Sequence, residues 1–386
     1  MKLLQIPNYF YPNIGGIEQV ARDIANALKG RKDIEQKIIC FNETAQDGDY
    51  VCRRKETVHD TVDGVEIIRC GCITKKASQS ISLTYPKELK KVLSQFDPDV
   101  VIFHYPNPYV ASFLLPMLKS SVRLIVYWHL DITKQKNLGK LFHGQNMKIC
   151  KRADTIVATS PNYIEGSPYL SRFRDKCTVI PNCISESRLS VSERIKVKAQ
   201  HIRKKFEGKT IVFAVGRHVE YKGMKYLVRS ARYLDDSFEV LIGGKGELTG
   251  ALFAEKGSNR HVHMLGRVDD ETLIACYIAC DIFAFPSITK NEAFGIALAE
   301  GMYFGKPAVT FTIQGSGVNF VSLDGVTGIE CPNRDSRAFA KAIKMLAANS
   351  GLRKKYGKNA RQRVLERFMF EVFKANINRL IDEAGK

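Results

Sequence analysis

The feature that most constrains the fold is an alternation of short apolar runs with helical stretches, which occurs twice along the chain. In the first series, residues 3–6, 100–104 and 124–128 are rich in β-branched and aliphatic side chains and show little polar alternation. A second series begins at residues 211–216 and continues through 281–285. Apolar runs of this kind are typical of parallel strands that helices cover on both faces. The pattern therefore predicts an α/β protein with two doubly wound parallel sheets.

The two series are separated by a polar, strongly charged stretch at residues 185–209 that has little strand character. With 386 residues, the chain is long enough for two domains that each bury their own core. We expect an N-terminal Rossmann-like domain at 1–185, a C-terminal Rossmann-like domain at 186–365 and a final helix at 366–386 that crosses back to the first domain. Both sheets would then face a cleft between the domains.

Residues 292–300, with the sequence EAFGIALAE, combine chemistry for an anion with chemistry for hydroxyl groups. They follow an apolar strand and a polar loop, and they continue into a helix of small and aliphatic residues. A helix start offers free backbone N–H groups and a positive dipole end to an anion, and Gly295 would let a ligand approach the backbone closely. Glu292 and Glu300 are able to accept hydrogen bonds from sugar hydroxyls. The stretch suits a sugar nucleotide, although an acidic loop before a helix is also common in proteins without such a site.

Two further loops of the second domain follow predicted strands, at the edge where open α/β sheets bind ligands. Gly216 and Arg217 end the first strand of the second series, and Lys222 stands just before the next helix. Arginine can form paired hydrogen bonds with a phosphate, and lysine adds a compact positive charge. The glycine-rich loop around Gly244 leaves room for a base or a ribose. A solvated loop in a basic protein remains the alternative explanation of Arg217 and Lys222.

The first domain contributes Gly15 and Gly16 before its first helix, and His129 at the end of a strand. His129 would face the same cleft as the loops of the second domain. A single histidine is more often a packed or surface residue than a functional one, so this position by itself leaves both interpretations open.

Taken in order, these motifs resemble glycosyltransferase family 4, whose members are retaining enzymes of the GT-B fold. The similarity is greatest to the mannosyl and rhamnosyl transferases of bacterial surface polysaccharide synthesis. It is carried by YPxxGGIE at 11–18, DVV at 99–101, WHxD at 128–131, VIPN at 179–182, GRxxxxKG at 216–223, ACDxFxxPS at 279–287, EAFG at 292–295, Glu300, and GKP at 305–307. The resemblance implies that the first domain binds the acceptor and the second binds the nucleotide sugar.

By the same resemblance, Arg217 and Lys222 hold the donor diphosphate, while Glu292 meets hydroxyls of the donor sugar. Glu300 accepts from the ribose, and His129 lies beside the reacting sugar. The residues implied in catalysis are His129, Arg217, Lys222 and Glu292. The implied donor-binding residues are Gly15, Gly16, Gly216, Arg217, Lys222, Gly244, Val268, Glu292, Ala293, Phe294, Gly295, Ile296, Ala297 and Glu300.

The resemblance implies transfer of a sugar from a nucleotide donor to a growing, lipid-linked bacterial surface glycan, with GDP-mannose as the preferred donor. We expect no cofactor and no metal, because cations and helix amides would stabilise the charge of the leaving diphosphate. Lys245 and Leu130 stand where the family commonly has an acidic and a small polar residue, so a UDP-sugar stays an alternative donor. Two different functions also stay open: a nucleotide-sugar epimerase of the same fold, and a non-catalytic protein that binds sugar nucleotides or polysaccharides. Asp97 and Asp99 are spaced like a metal-binding DxD motif, but their place just before a strand favours a turn.

The chain carries 59 Lys and Arg against 40 Asp and Glu, and this net charge of +19 indicates an anionic partner. A segment from residue 133 to 152 is basic and has no acid; its basic residues are Lys134, Lys136, Lys140, Lys148, Lys151 and Arg152. We expect it to form a surface for anionic lipid or a polyprenyl-diphosphate-linked acceptor, with a solvated basic helix pair as the alternative. No nucleic-acid module is recognisable. Neither a signal peptide nor a membrane span is evident, and the ten cysteines include no CxxC pair, so we expect a cytoplasmic protein at the inner face of the plasma membrane.

Overall fold

The structure, a computed structural model, describes residues 1–13, 15–43, 50–76, 79–132 and 136–386, without the side chains of residues 76 and 136–141. Within this part the chain forms two compact units. The first unit comprises Met1–Thr159, Ser167–Pro181 and Phe370–Lys386, and the second comprises Ser160–Gly166 and Asn182–Met369. This division differs from the predicted range 1–185, because residues 160–166 and 182–185 pack with the second unit.

The first unit alternates strands and helices along most of its length. Its strands are β1 (Lys2–Ile6), β2 (Glu35–Phe41), β3 (Val58–Val62), β4 (Val65–Cys70), β5 (Thr74–Lys76), β6 (Gln79–Ile81), β7 (Val100–Tyr105), β8 (Arg123–Trp128), β9 (Thr155–Ala158) and β10 (Cys177–Val179). Its helices are α1 (Gly16–Ala27), α2 (Tyr85–Gln95), α3 (Pro108–Met117), α4 (Lys136–Arg152) and, at the C-terminus, α14 (Phe370–Ala384).

Eight of these strands form one sheet in the order β10-β9-β8-β7-β1-β2-β4-β3. All neighbours are parallel except β3 and β4, which pair antiparallel. Every residue of β7 is buried, because helices cover both faces of the sheet at its centre. In the edge strand β3, half-buried and exposed residues alternate instead. Because β3 is antiparallel, the sheet is mixed rather than purely parallel. The sequence did not indicate this edge strand.

Helix α14 packs on α1 within the first unit. Asn378 Nδ2 donates to the carbonyl of Ala27 at 3.2 Å, and Arg31 Nη2 pairs with Asp382 Oδ1 at 2.9 Å. The buried side chain of Ile377 lies on the same helix. Helix α14 thus belongs to the same compact unit as β1 and α1.

The second unit contains a six-stranded sheet with helices around it. Its strands are β11 (Thr210–Val215), β12 (Phe238–Gly243), β13 (Val262–Gly266), β14 (Ile282–Phe285), β15 (Ala308–Phe311) and β16 (Gly328–Cys331). Its helices are α5 (Pro161–Gly166), α6 (Glu193–Lys205), α7 (Met224–Ser230), α8 (Thr249–Lys256), α9 (Asp270–Ala279), α10 (Ile296–Tyr303), α11 (Val318–Val321), α12 (Ser336–Ala348) and α13 (Ser350–Arg367).

The strand order of this second sheet is β13-β12-β11-β14-β15-β16, and all neighbours are parallel. From β11 the chain first builds outward through β12 and β13, and it then returns to the other side of β11 with β14. The direction of winding reverses between β11 and β14, and ligands of open α/β sheets bind beside the strand ends at such a switch point. The loops that follow β11 and β14 are therefore the place where this sheet is expected to bind a ligand.

The structure adds detail to two segments of the sequence-based prediction. The charged stretch at residues 185–209 contains α6, whose first turn is capped by the Ser192 hydroxyl accepting from the backbone N–H of Ile195 at 3.3 Å. The final helix predicted at 366–386 corresponds to α14, and α13 precedes it. They are interrupted at Phe368, which is fully buried and whose carbonyl accepts from the backbone N–H of Ile184 at 2.8 Å.

Candidate active site

Three predicted loops of the second unit lie at the carboxyl ends of neighbouring strands. Gly216 and Arg217 follow β11, Gly244 follows β12, and Ser287 follows β14. Because β11 pairs in parallel with both β12 and β14, these loops meet at one edge of the sheet, at the switch point. The structure thus brings together residues that lie up to 71 positions apart in the chain.

Lys222 and Glu292 form an ion pair at this edge. The distance between Lys222 Nζ and Glu292 Oε2 is 2.5 Å, and only 14% and 10% of the two side chains are exposed. The Ser287 hydroxyl donates to the same Oε2 at 3.0 Å. Burial by itself would lower the pKa of Lys222, but the Glu292 carboxylate opposes this and the net direction is upward. Lys222 is therefore a protonated cation that shares a partly dehydrated position with a carboxylate.

The glycine loop after β12 lies against the loop after β11. The φ angle of Gly244 is +119°, and a Cβ at this position would lie 1.9 Å from the carbonyl oxygen of Gly216. Gly216 N–H in turn donates to the carbonyl of Gly243 at 3.2 Å. Val268 follows β13 and lies 3.5 Å from where a Cβ of Gly243 would stand. The predicted donor residues Gly216, Gly244 and Val268 are therefore one cluster, which requires glycine where the two backbones touch.

Helix α10 begins beside the Lys222–Glu292 pair. Its N-cap is Gly295, with a φ angle of +94°, and the first turn leaves the N–H groups of Ile296 and Ala297 without intrahelical partners. The Phe294 ring is buried and packs edge-on against Phe368, with ring centroids 5.3 Å apart. Only the backbone of Phe294 is thus available to a ligand. The helix start presents a positive dipole end close to two charged side chains.

Glu300 lies one turn further along α10 and is buried. Its Oε2 accepts from the Tyr277 hydroxyl at 2.9 Å, and Arg188 Nη2 lies 3.9 Å from its Oε1. Burial raises the pKa of Glu300, while the charge of Arg188 and the Tyr277 hydrogen bond act in the opposite direction. Arg217, by contrast, is exposed, and within the described residues its guanidinium forms no ion pair.

The predicted residues of the first unit lie at the carboxyl edge of its sheet. A Cβ on Gly15 would lie 2.2 Å from Glu18 Oε2, at the end of a side chain that is able to shift. A Cβ on Gly16, the first residue of α1, would meet nothing within 4 Å, which leaves open space in front of that helix start. His129 directly follows β8 and is only 5% exposed. His129 is therefore a packed residue at one ring nitrogen: its Nε2 is hydrogen-bonded inside the protein, 2.9 Å from His104 Nδ1.

Comparison with known proteins identifies the family. Residues 14–188 match the family model described as Glycosyltransferase Family 4, and residues 196–363 match the model described as Glycosyl transferases group 1. The D-rhamnosyltransferase WbpZ of Pseudomonas aeruginosa is 30% identical over 367 residues, which cover 93% of this chain and 90% of that protein. This chain is a family 4 glycosyltransferase.

Two further similarities agree with this assignment. The O-antigen chain mannosyltransferase C of Escherichia coli is 29% identical to this glycosyltransferase over 369 residues, covering 95% of this chain and 94% of that protein. The solved structure of HepE of Anabaena in complex with UDP shares the fold with a TM-score of 0.76 at 17% identity, over 99% of this chain and 100% of that chain. The predicted GT-B fold is thereby confirmed.

The predicted basic surface of the glycosyltransferase is only partly described. Lys134 lies outside the described residues, as do the side chains of Lys136 and Lys140. Lys148 and Lys151 are exposed on α4.

Arg152, the last basic residue of this predicted surface, also makes contacts within the first unit. This side chain is turned to the protein, where its guanidinium pairs with Asp154 Oδ2 at 3.1 Å and donates to the carbonyls of Lys119 and Val122 at 3.0 and 2.6 Å. These bonds tie the end of α4 to the loop before β8, and 26% of the Arg152 side chain remains exposed. Among the described residues, no helix is both long and apolar enough to cross a membrane.

Asp97 and Asp99 serve the start of β7. Asp99 Oδ2 accepts from the backbone N–H of Lys2 at 2.7 Å, and Asp97 Oδ1 pairs with Lys119 at 2.7 Å. They lie at the amino end of the strand, as a strand-entry turn requires. Nowhere in the described ranges do three or more His, Cys, Asp or Glu side chains form a group able to hold a metal ion.

Sequence reasoning missed several side chains that hold the candidate site. Ser287 contacts Glu292, and Tyr277 and Arg188 contact Glu300. Ser287 stands in the ACDxFxxPS segment, so its proximity to the site could have been inferred from that motif. Tyr277 carries no such signal, because it lies near the end of α9 among apolar residues.

Proposed function

We propose that this glycosyltransferase takes a hexose from a nucleoside-diphosphate sugar, with GDP-mannose as the preferred donor, and transfers it to a growing bacterial surface glycan. The observation that carries the proposal is the Lys222–Glu292 pair at the switch point, next to the amino end of α10. A cation and helix N–H groups suit a diphosphate, and a carboxylate suits sugar hydroxyls. The preference for mannose is supported by similarity to the O-antigen mannosyltransferase.

In this proposal the bond between the sugar and the diphosphate breaks as negative charge develops on the departing oxygen. Lys222, exposed Arg217 and the N–H groups of Ile296 and Ala297 stabilise that charge. Preorganised donors of this kind typically contribute about 10²–10³ in rate each. Because these positive groups surround the phosphate side, the proposal requires no metal ion.

Glu292 and Glu300 would then orient the donor. Glu292 accepts hydrogen bonds from hydroxyls of the sugar once Lys222 turns toward the phosphate. Glu300 accepts hydrogen bonds from the ribose hydroxyls with one oxygen, while the Tyr277 hydroxyl holds its other oxygen in place. Retention of the anomeric configuration is proposed on family resemblance.

The acceptor is proposed to be lipid-linked, and the enzyme to bind peripherally at the inner face of the plasma membrane. Support comes from the net charge of +19 and from exposed Lys148 and Lys151 on α4. A basic surface would bring the enzyme to the membrane where such an acceptor is anchored.

The test is a thermal-shift screen against GDP, UDP, ADP and dTDP in EDTA, followed by sugar transfer from the corresponding donors to a lipid-linked glycan acceptor. A ligand that binds only the folded state stabilises it by about 2.7 kcal/mol at 100 times its Kd. We expect GDP to raise the melting temperature of the parent protein and Lys222→Met to lose most of that shift. Lys341→Met is the matched control, since Lys341 is exposed on α12 and belongs to none of the loops at the switch point.

A rise in melting temperature with UDP alone would indicate a UDP-sugar as the donor and leave the proposed enzyme class unchanged. A shift without sugar transfer would favour a non-catalytic binding protein, and conversion of the donor without an acceptor would favour an epimerase. Equal shifts for the parent and Lys222→Met would show that the nucleotide binds elsewhere.

A further inference from the structure

Three polar side chains form a buried hydrogen-bonded chain across the sheet of the first unit. His129 Nε2 lies 2.9 Å from His104 Nδ1, and His104 Nε2 lies 3.3 Å from Gln5 Oε1. Gln5 is fully buried, and His104 and His129 are 1% and 5% exposed. Such a chain inside a core constrains where each hydrogen atom lies.

The strand register explains why these residues meet. Gln5 on β1 is paired with Ile102 on β7, and His104 on β7 is paired with Tyr127 on β8. Side chains two residues apart share a face of a sheet, so Gln5, His104 and His129 lie on one face in a diagonal line across three neighbouring strands. The imidazole rings of His104 and His129 stack with centroids 5.2 Å apart, and both stack on Tyr127. This packing holds the rings in one orientation.

The positions of the hydrogen atoms follow from donor and acceptor capacity. The carbonyl oxygen of Gln5 can only accept, so His104 Nε2 carries the hydrogen. Burial lowers the pKa of His104 to about 3, so the ring is neutral and its Nδ1 has no hydrogen. His104 Nδ1 therefore accepts, and His129 Nε2 must donate to it. Because burial also lowers the pKa of His129 well below its usual value, this second ring is neutral too, and its Nδ1 is left unprotonated.

We propose that Gln5 and His104 are positioning residues that fix the tautomer of His129, so that His129 offers an unprotonated Nδ1 as a hydrogen-bond acceptor. Such a nitrogen accepts a hydrogen bond from a hydroxyl group. It cannot form one with groups that only accept hydrogen bonds, such as phosphate or carboxylate oxygens. This consequence rests on the proposed function: a hydroxyl of the sugar is the substrate group that His129 would recognise. The tautomer itself does not depend on the identity of the donor.

The first experiment measures the tautomer directly. The full-length protein is labelled with ¹⁵N-histidine, and long-range ¹H–¹⁵N correlation spectra distinguish protonated from unprotonated ring nitrogens. Comparison with His104→Phe and His129→Asn assigns the two rings among the eight histidines. We expect His129 with hydrogen on Nε2 in the parent protein. In Gln5→Met, which removes the acceptor at the end of the chain, we expect a mixture of tautomers at His129.

The outcome that overturns the proposal is a parent His129 with hydrogen on Nδ1. The Gln5 amide has a buried Nε2 without a hydrogen-bond partner, and turning this amide around would reverse every bond of the chain and give that result. An unchanged His129 spectrum in both Gln5→Met and His104→Phe would also overturn it. Gln36→Met is the control, since it removes a partly buried glutamine of β2 in the same sheet and should leave His129 unaffected.

Kinetics then test the consequence for substrate. We expect Gln5→Met to reduce kcat by about tenfold or more with little change in nucleotide Kd, as is typical when an outer partner of a functional histidine is removed. An altered tautomer with unchanged kcat would overturn the role of His129 while leaving the tautomer assignment in place. If no nucleotide sugar is turned over by the parent protein, the proposed function fails, and the spectra still decide the tautomer.

Discussion

Replacing Lys222 with methionine removes the cation from the most enclosed ion pair of the candidate site. The Glu292 carboxylate would then keep the Ser287 hydroxyl, at 3.0 Å, as a hydrogen-bond donor. Its side chain is 10% exposed, so water replaces the lost ammonium poorly. The substitution should therefore destabilise the fold in addition to weakening transfer.

The magnitude follows from the burial of the pair. Breaking a fully buried ion pair by removing one partner costs about 3–5 kcal/mol. Because 14% and 10% of the two side chains remain exposed and Ser287 still donates, we expect about 2–3 kcal/mol for either Lys222→Met or Glu292→Gln. The double variant has no unpaired charge left. It should be destabilised by about 2 kcal/mol less than the sum of the single variants.

The assay is urea unfolding of the four proteins, with one exposed pair as a control. Lys196 Nζ and Glu193 Oε1 on α6 are also 2.5 Å apart, but 54% and 84% of these side chains are exposed. Exposed pairs of this kind couple by about 0.3–0.5 kcal/mol. If the Lys222–Glu292 cycle gave the same small coupling as the control, the reasoning from burial would be refuted. In sugar transfer, we expect Lys222→Met to lose about 10²–10³ in kcat.

Three further predictions concern neighbouring features. Tyr277→Phe removes the donor to Glu300, so the KM for the nucleotide donor should rise by roughly five- to tenfold, as about 1 kcal/mol for one hydrogen bond implies; an unchanged KM in steady-state kinetics would exclude this role. Gly295→Ala should destabilise the protein by about 1–2 kcal/mol because φ is +94°, whereas Gly144→Ala in an exposed turn of α4 should stabilise it by about 0.5–1 kcal/mol in thermal unfolding, and effects of the same sign would contradict the backbone argument. Burial would raise the pKa of Glu239, but hydrogen bonds from a lysine and two histidines outweigh this effect and lower the pKa below 4.5. The carboxylate therefore stabilises the fold above about pH 4.5, and this stabilisation is lost as the pH falls through the depressed pKa. In urea unfolding, the difference in unfolding free energy between the parent and Glu239→Gln should shrink from about pH 6 to pH 3.

Several parts of the candidate site could be predicted because local sequence encodes them. Glycine at positions 244 and 295 signals backbone that other residues adopt poorly, and both positions have positive φ angles in the structure. Arg217 and Lys222 follow a predicted strand, and parallel strands place their carboxyl ends at one edge. The strand order around β11 then decides which of these loops are neighbours, and the order of strands in a sheet is not written in any one segment.

Other features depend on contacts between segments that are distant in the chain. Arg152 belongs to a basic run, but its guanidinium binds Asp154 and two carbonyls that the fold brings to the end of α4. Residues 160–166 stand within the predicted range 1–185 but pack with the second unit, and only long-range contacts show with which unit a six-residue helix packs.

The sequence by itself determined the fold class, the two Rossmann-like units and the family, since apolar periodicity and ordered motifs are properties of short segments. Only the tertiary structure decided which charges and rings are partners. Lys222 meets Glu292 across 70 positions of the chain, and His129 meets His104 and, through it, Gln5. The physical reason is that ion-pair energy, pKa and tautomer depend on distance and burial, which a side chain acquires only when strands distant in sequence become neighbours in a sheet.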